Sequence, residues 1–180
     1  MRLKNLKFII LIAICVLSIA SMSSCGKAKT KKLLDFYPKP DGTYAVSIGN
    51  ARYLDEIVIP KKHNGKAVTD IAQGGFQSAP NLESVVIPDT VTTIGPSAFS
   101  SCEKLTTITI PDSVTKIDNT AFASCTKLAD ISIPNSVTTI GDTVFYNCYS
   151  LTSIIIPDSV TSLGNRVFYN CRYSFLIYPL

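Results

Sequence analysis

The sequence predicts a repeat solenoid of about five coils, with a short parallel sheet, extended second segments and short helical or 3-10 turns. Three observations predict it. Cys102, Cys125, Cys148 and Cys171 stand 23 residues apart, and Leu82, Leu105, Leu128 and Leu151 keep the same spacing. Between them the chain reads as four aligned units: LESVVIPDTVTTIGPSAFSSCEK, LTTITIPDSVTKIDNTAFASCTK, LADISIPNSVTTIGDTVFYNCYS and LTSIIIPDSVTSLGNRVFYNCRY. A strict period of this size belongs to stacked coils, because one unit cannot bury its apolar face alone whereas three or more can.

In chain order, residues 1–24 read as an export signal. Arg2, Lys4 and Lys7 precede the apolar run Phe8 to Ala20, and small residues Ser21, Ser23 and Ser24 lead to Cys25. The run is short of the roughly 20 residues of a membrane-spanning helix. Cys25 after small residues resembles a lipobox, in which the new N-terminal cysteine takes the lipid; Met22 stands where Leu is commoner. Residues 25–40 follow as a lipidated Cys and a Lys-rich tether. Residues 41–81 hold an N-terminal cap, with DGTYAVSIGN as one short strand ended by Gly49 and Asn50, and a divergent first repeat with five extra residues around His63, Asn64 and Gly65. Residues 82–173 are the four regular repeats. Residues 174–180 are a partial repeat or cap, whose FLIYP starts a strand one residue short of register.

Each position in the unit has a physical task. Leu105, Ile108 and Ile110 have the spacing of a strand with one face inward. Pro111 ends that strand, having no N–H for the ladder. Asp112 and Ser113 make a turn through local side-chain hydrogen bonds, and Val114 and Ile117 point inward again. Gly95, Gly141 and Gly164, with Asp118 in the same file, suggest a corner at positive φ. Ala121-Phe122 then forms a helical or 3-10 turn that plugs the coil. Coils about 4.8 Å apart turn equivalent residues into ladders: Phe99, Phe122, Phe145 and Phe168 in one, the four cysteines in another.

The period lies in the leucine-rich-repeat range, and the motifs resemble the BspA-type leucine-rich repeat family of bacterial surface lipoproteins. The residues that carry the likeness are Ile110-Pro111, Ser136-Val137-Thr138-Thr139-Ile140-Gly141, and Ala121-Phe122-Ala123-Ser124-Cys125, together with KKHNGKAVTDI in the opening repeat. The likeness spans roughly residues 41 to 180. It implies a horseshoe or ribbon fold, and surface proteins of which many are adhesins for host proteins or other bacteria. It implies no particular ligand.

The net charge of +4 dissolves once it is divided along the chain. Without the three cations of the signal and the four lysines at 27, 29, 31 and 32, ten basic residues face 13 acidic ones, a balance of −3. That excludes the basic footprint of a nucleic-acid binder. Neither a G-x-S-x-G elbow, a metalloprotease H-E-x-x-H nor a glycine-rich phosphate loop occurs. His63, the one histidine, sits on a polar turn and reads as solvent-exposed. The chain therefore reads as a binding protein, not an enzyme, with no cofactor and no metal. The cysteine ladder reads as small buried groups with weak S–H donors; disulfides remain the alternative that an oxidising compartment allows.

Two surfaces are candidate sites. The outward strand positions Thr106, Thr107, Thr109, Asp130, Ser132, Thr152 and Ser153 form a small, hydroxyl-rich face suited to a peptide or a glycan. Tyr146, Tyr149, Tyr169 and Tyr173 crowd the last coils, as a sugar or protein platform, as a cap over the last coil's apolar edge, or as a homodimer contact. Asp-Ser/Thr-apolar triplets at 89–91, 112–114, 142–144 and 158–160 resemble an O-glycosylation acceptor. The expected protein is an exported, membrane-anchored lipoprotein, at the outer membrane or cell surface. Its expected partner is a host or bacterial surface protein, or a glycan, and no nucleic acid. A carbohydrate-binding accessory lipoprotein is the alternative.

Overall fold

The computed structural model describes residues 33–172 and the strand 175–177. The signal, Cys25, the tether lysines, Tyr173 and Tyr178 lie outside the described residues. The cap contains β1 (Asp35–Pro38), β2 (Tyr44–Ser47) and a 3-10 turn at Gly49–Ala51. The first coil contains β3 (Glu56–Val58), β4 (Lys62–His63) and β5 (Lys66–Ile71). Regular coils add two short strands each: β6 (Ser84–Val86) and β7 (Thr93–Ile94), β8 (Thr107–Thr109) and β9 (Lys116–Ile117), β10 (Asp130–Ser132) and β11 (Thr139–Ile140), β12 (Ser153–Ile155) and β13 (Ser162–Leu163). β14 (Phe175–Ile177) begins the next coil. It pairs with β12 through Phe175 opposite Ser153, the early start that FLIYP predicts.

The two strand positions of the coil build two sheets. The first runs β3-β6-β8-β10 and resumes as β12-β14. The second has eight strands, β1-β2-β5-β7-β9-β11-β13, with β4 beside β5. The short second segment is thus the backbone of the longer sheet. A two-residue strand suffices because each copy is bonded on both sides, as Ile117 is between Ile94 and Ile140. All coil-to-coil pairings are parallel, whereas β1 lies antiparallel on β2. β1 falls within the stretch 25–40 read as tether, so the folded cap reaches back to Leu33 and Leu34, the latter buried.

The third side departs from expectation. Ala121-Phe122 and its equivalents form linked turns, not helical or 3-10 turns; among the described residues the 3-10 turn lies in the cap. The reason is where the amides point. Along this segment N–H groups alternate between the coil itself and the next coil. Ala121 donates to Asp118 O (3.3 Å) and Ala123 to Thr120 O (3.0 Å), while Phe122 donates to Val144 O (3.0 Å) and Ser124 to Tyr146 O (2.7 Å). A helix would direct every amide along its own axis and leave this side unbonded to its neighbours. The alternation needs left-handed backbone twice per coil, and it is found at Thr120 (φ 56) and Ser124 (φ 61), Thr143 (φ 52) and Asn147 (φ 60), and Arg166 (φ 51) and Asn170 (φ 60).

The corner glycines are not among these. Gly95, Gly141 and Gly164 lack positive φ, contrary to the sequence reading. Their task is close approach: a Cβ on Gly95 would lie 2.5 Å from the carbonyl oxygen of Ile71 in the coil before. Asp118 occupies the same file, its carboxylate accepting Asn119 N–H at 2.9 Å and pairing with Lys116 at 2.6 Å. The turn after the strand is also bonded differently. Ser113 Oγ donates to Val91 O (2.6 Å) and Ser136 Oγ to Val114 O (2.7 Å), so these hydroxyls tie one coil to the one before it. That also occupies Thr90, Ser113 and Ser159 of the glycosylation-like triplets.

The interior is a set of ladders. Phe76, Phe99, Phe122, Phe145 and Phe168 stack with centroids 5.2 to 5.6 Å apart and near-parallel planes. The first four are fully buried. Phe122→Ala should lower stability by about 3–5 kcal/mol, and Gly95→Ala by about 1–3 kcal/mol through the carbonyl contact. Ser132→Ala, on the exposed face, should stay within about 0.5 kcal/mol. Urea unfolding of the three variants checks this order.

Candidate functional site

The first sheet turns alternate residues inward, and Ile108, Ile131 and Ile154 are buried at 5%, 5% and 2% exposure. Thr106, Thr107, Thr109, Asp130, Ser132, Thr152 and Ser153 are all exposed. Parallel register collects them into columns, Thr107 beside Asp130 and Thr109 beside Ser132. Two apolar residues interrupt this polar face, Val86 at 39% and Ile155 at 58% exposure.

The ladder of this sheet stops between β10 and β12, which share no paired residues. A cavity of about 660 Å³ opens along the break, lined by Asp130 and Ser132 on one side and by Ser153, Ile155 and Asp158 on the other. No lining residue is basic. Among the described residues, the ion pairs involve neither Asp130 nor Asp158. The sequence reading includes Asp130, Ser132 and Ser153 but neither Asp158 nor the cavity. One signal was available: Ile155 stands where its neighbours have Thr109 and Ser132.

Tyr146 and Tyr169 do stack, with centroids 5.4 Å apart and planes within 7°. Stacking consumes ring faces. A sugar platform needs faces turned outward, yet here each ring covers one face of the other. In the repeat frame Ala123, 7% exposed, lies below Tyr146. Tyr169 is 51% exposed. Tyr149 is 51% exposed, and beside the pair Asn170 Nδ2 donates to Asn147 Oδ1 at 3.0 Å.

The four ladder cysteines are free thiols, and each Sγ donates to a backbone carbonyl of the preceding coil. Cys102 reaches Phe76 O, Cys125 Phe99 O, Cys148 Phe122 O and Cys171 Phe145 O, all at 3.1–3.2 Å. Burial opposes the thiolate. It pushes the Cys102 thiol up to about 11 and that of Cys148 up to about 12, and it raises that of Cys125 well above its ordinary value. Among the described residues no cluster is arranged to hold a metal ion.

His63 is half-buried, where the sequence suggested an exposed turn residue. Asn64 (φ 48) and Gly65 (φ 78) form a two-residue turn with both central residues left-handed, the geometry that suits a twisted hairpin. The hairpin folds the imidazole onto the cap, stacked on Phe36 at 4.0 Å and edge-on to Tyr44 at 4.9 Å. Its Nδ1 is buried without a hydrogen-bond partner among the described residues. At the outer edge of the same cap, Lys39 Nζ donates to Asp70 Oδ2 at 2.6 Å.

A solenoid with a β-sheet on two sides, phenylalanine and cysteine ladders inside and an exposed strand face defines a bacterial leucine-rich-repeat protein, a scaffold that binds through its extended surfaces. The model of the BspA type leucine rich repeat region matches residues 48–179 in 6 copies, and the chain belongs to that family. It is similar to the T. pallidum leucine-rich repeat protein TpLRR, at 31% identity and a TM-score of 0.76, over 79% of this chain and 67% of that one. A Bacteroides ovatus leucine-rich repeat protein is 30% identical with a TM-score of 0.67; the match covers 78% of this chain but 39% of that one. A leucine rich cell surface protein of Faecalibacterium prausnitzii is 27% identical with a TM-score of 0.51, over 81% of this chain and 53% of that one. No curated protein matches.

The thiols give a pH prediction. Their folded pKa values lie above the unfolded value near 9, so the stability they contribute is complete below pH 9 and is lost as pH climbs toward 11–12. Urea unfolding should weaken across that window. Cys125→Ala should flatten part of the loss, and iodoacetamide should label Cys125 only once the coil opens.

Proposed function

We propose that this chain is a lipid-anchored cell-envelope protein that recognises another protein through the exposed face of its first sheet, and that it works by binding, not by turnover. The observation that carries this reading is the face itself. Thr107, Thr109, Asp130, Ser132 and Ser153 are held at fixed spacing on a rigid parallel sheet and are exposed. Rigid strands lower the entropy that binding costs, and small hydroxyl side chains permit close approach of a second backbone. The partner class is a host or bacterial surface protein. The F. prausnitzii relative is a cell surface protein, which supports the same location here, with Cys25 as the lipid site and the repeats outside the membrane.

A second reading, glycan binding by an accessory lipoprotein, rests on the exposed rings of Tyr169 and Tyr149. Tyr146 serves that site only from beneath. Tyr173 lies outside the described residues.

Cys25→Ala should move the protein from the membrane pellet to the soluble fraction. Protease added to intact cells should digest the repeats; full protection would place them in the periplasm and end the adhesin reading. A photo-crosslinking side chain at Thr107 should capture a partner, while the same group at Thr138, just before β11 of the second sheet, should not. Retention on immobilised glycans that Tyr169→Ala abolishes, with unchanged thermal stability, would favour the second reading.

A further inference from the structure

The hairpin of the first coil carries the chain's one asparagine followed by glycine, Asn64-Gly65. Both residues are exposed, and a Cβ built on Gly65 would meet nothing within 4 Å. The hairpin is also short: two pairs, Lys62 with Ala67 and His63 with Lys66, hold β4 to β5. So small an exposed element opens locally while the rest of the fold stands.

The Gly65 N–H donates no backbone hydrogen bond among the described residues. The amides that follow several other asparagines are tied down. Ala51 N–H donates to Ile48 O at 2.8 Å and Thr120 N–H to Asp142 O at 2.9 Å. Cys148 N–H reaches Phe145 O and Cys171 N–H reaches Phe168 O, both at 3.2 Å. An amide held in this way cannot swing onto the side chain before it.

We propose that Asn64 is a site of spontaneous covalent modification, where the backbone converts the asparagine to isoaspartate and thereby releases the hairpin from the cap. The Gly65 nitrogen gives up its proton to hydroxide and bonds to Asn64 Cγ. The bond from Cγ to Nδ2 breaks, and ammonia leaves. Water then opens the resulting cyclic succinimide at either of its carbonyls, giving aspartate or isoaspartate. Glycine suits the attacking position because it has no Cβ to crowd the approach or restrict the backbone rotation it needs.

The two products differ in the main chain. Aspartate keeps its length, and Asp-Gly suits the same two-residue turn. Isoaspartate routes the backbone through the side-chain methylene, which adds an atom to a turn without slack. The register between β4 and β5 is then lost, and His63 leaves its stack on Phe36 and its edge contact with Tyr44. That stack ties the hairpin to β1, so the loosening passes to the terminal strand of the second sheet. The new carboxylate would stand near exposed Lys62 and Lys66, so charge does not drive the opening.

The test incubates the folded full chain in mildly alkaline buffer with hydroxylamine, which cleaves a chain at a succinimide. Scission should fall between Asn64 and Gly65. Asn64→Gly, which keeps a two-residue turn and removes the electrophile, should stay uncut. Without hydroxylamine, ageing should yield two separable forms, each with the mass of a carboxylate in place of an amide at Asn64. Hydrogen exchange should accelerate in β1, β4 and β5 of the isoaspartyl form and keep its original rate in Asn64→Asp.

A native chain that resists hydroxylamine, or one cut equally after Asn135, overturns the site. An isoaspartyl form that exchanges like the unmodified chain overturns the release of the hairpin. Equal acceleration in Asn64→Asp assigns the loosening to charge and overturns the turn-length argument.

Discussion

Everything in this molecule depends on the hydrogen bonds that run from coil to coil. A chain that closes a coil every 23 residues leaves its amides and carbonyls pointing along the stack, and only another coil can satisfy them. The second strand side bonds back toward the preceding coil, as Thr138 N–H does to Thr115 O, the third side bonds forward, as Phe122 N–H does to Val144 O, and the first strand side does both, as Glu83 N–H to Asp55 O and Ile59 N–H to Val86 O show. Side chains join the same economy: Ser113, Ser136 and Ser159 each donate to a carbonyl one coil back, and so do the four thiols. The coil spacing is thereby fixed near the distance between strands, and equivalent side chains have to lie on one another. The phenylalanine stack is a result of that spacing.

A fixed spacing explains what was legible in the sequence. A one-residue slip would turn Ile108, Ile131 and Ile154 outward together, so the inward pattern is strictly kept and easy to read. The interior therefore announces itself: the phenylalanines, the cysteines and the strand isoleucines occupy the ladders that periodicity assigns them. The glycines misled for a physical reason. Gly at a corner suggests positive φ, but Gly95 is needed because the coil beneath leaves no room for a Cβ, and sequence alone does not distinguish crowding from backbone sign. The left-handed positions are filled by Ser, Thr, Asn and Arg, residues that in isolation say little. The local cost of that conformation is outweighed by the bonds it makes possible.

The candidate site was half legible. The outward columns follow from alternation along the strand, and Thr107, Asp130 and Ser153 stand where that places them. The interruption of the ladder between β10 and β12 does not follow, because those coils share the same period and nearly the same residues. The cap was the least legible part. β1 has no repeat to betray it, and His63 looked like a turn residue until the hairpin laid it on Phe36. Where the repeat stops, the information that made the rest readable stops with it.

The antiparallel cap has one more consequence. Among the described residues β1 is the terminal strand of the second sheet and lies antiparallel on β2, whereas every later coil joins in parallel. Growth of the solenoid thus has a direction. A polypeptide released amino end first completes its cap before any regular coil exists, and each new 23-residue length then finds a finished surface on which to freeze. Folding becomes templated addition, with the costly nucleus formed once and early. In such a mechanism the number of coils is a matter of length alone, and a unit can be gained or lost from the array without redesigning those that remain.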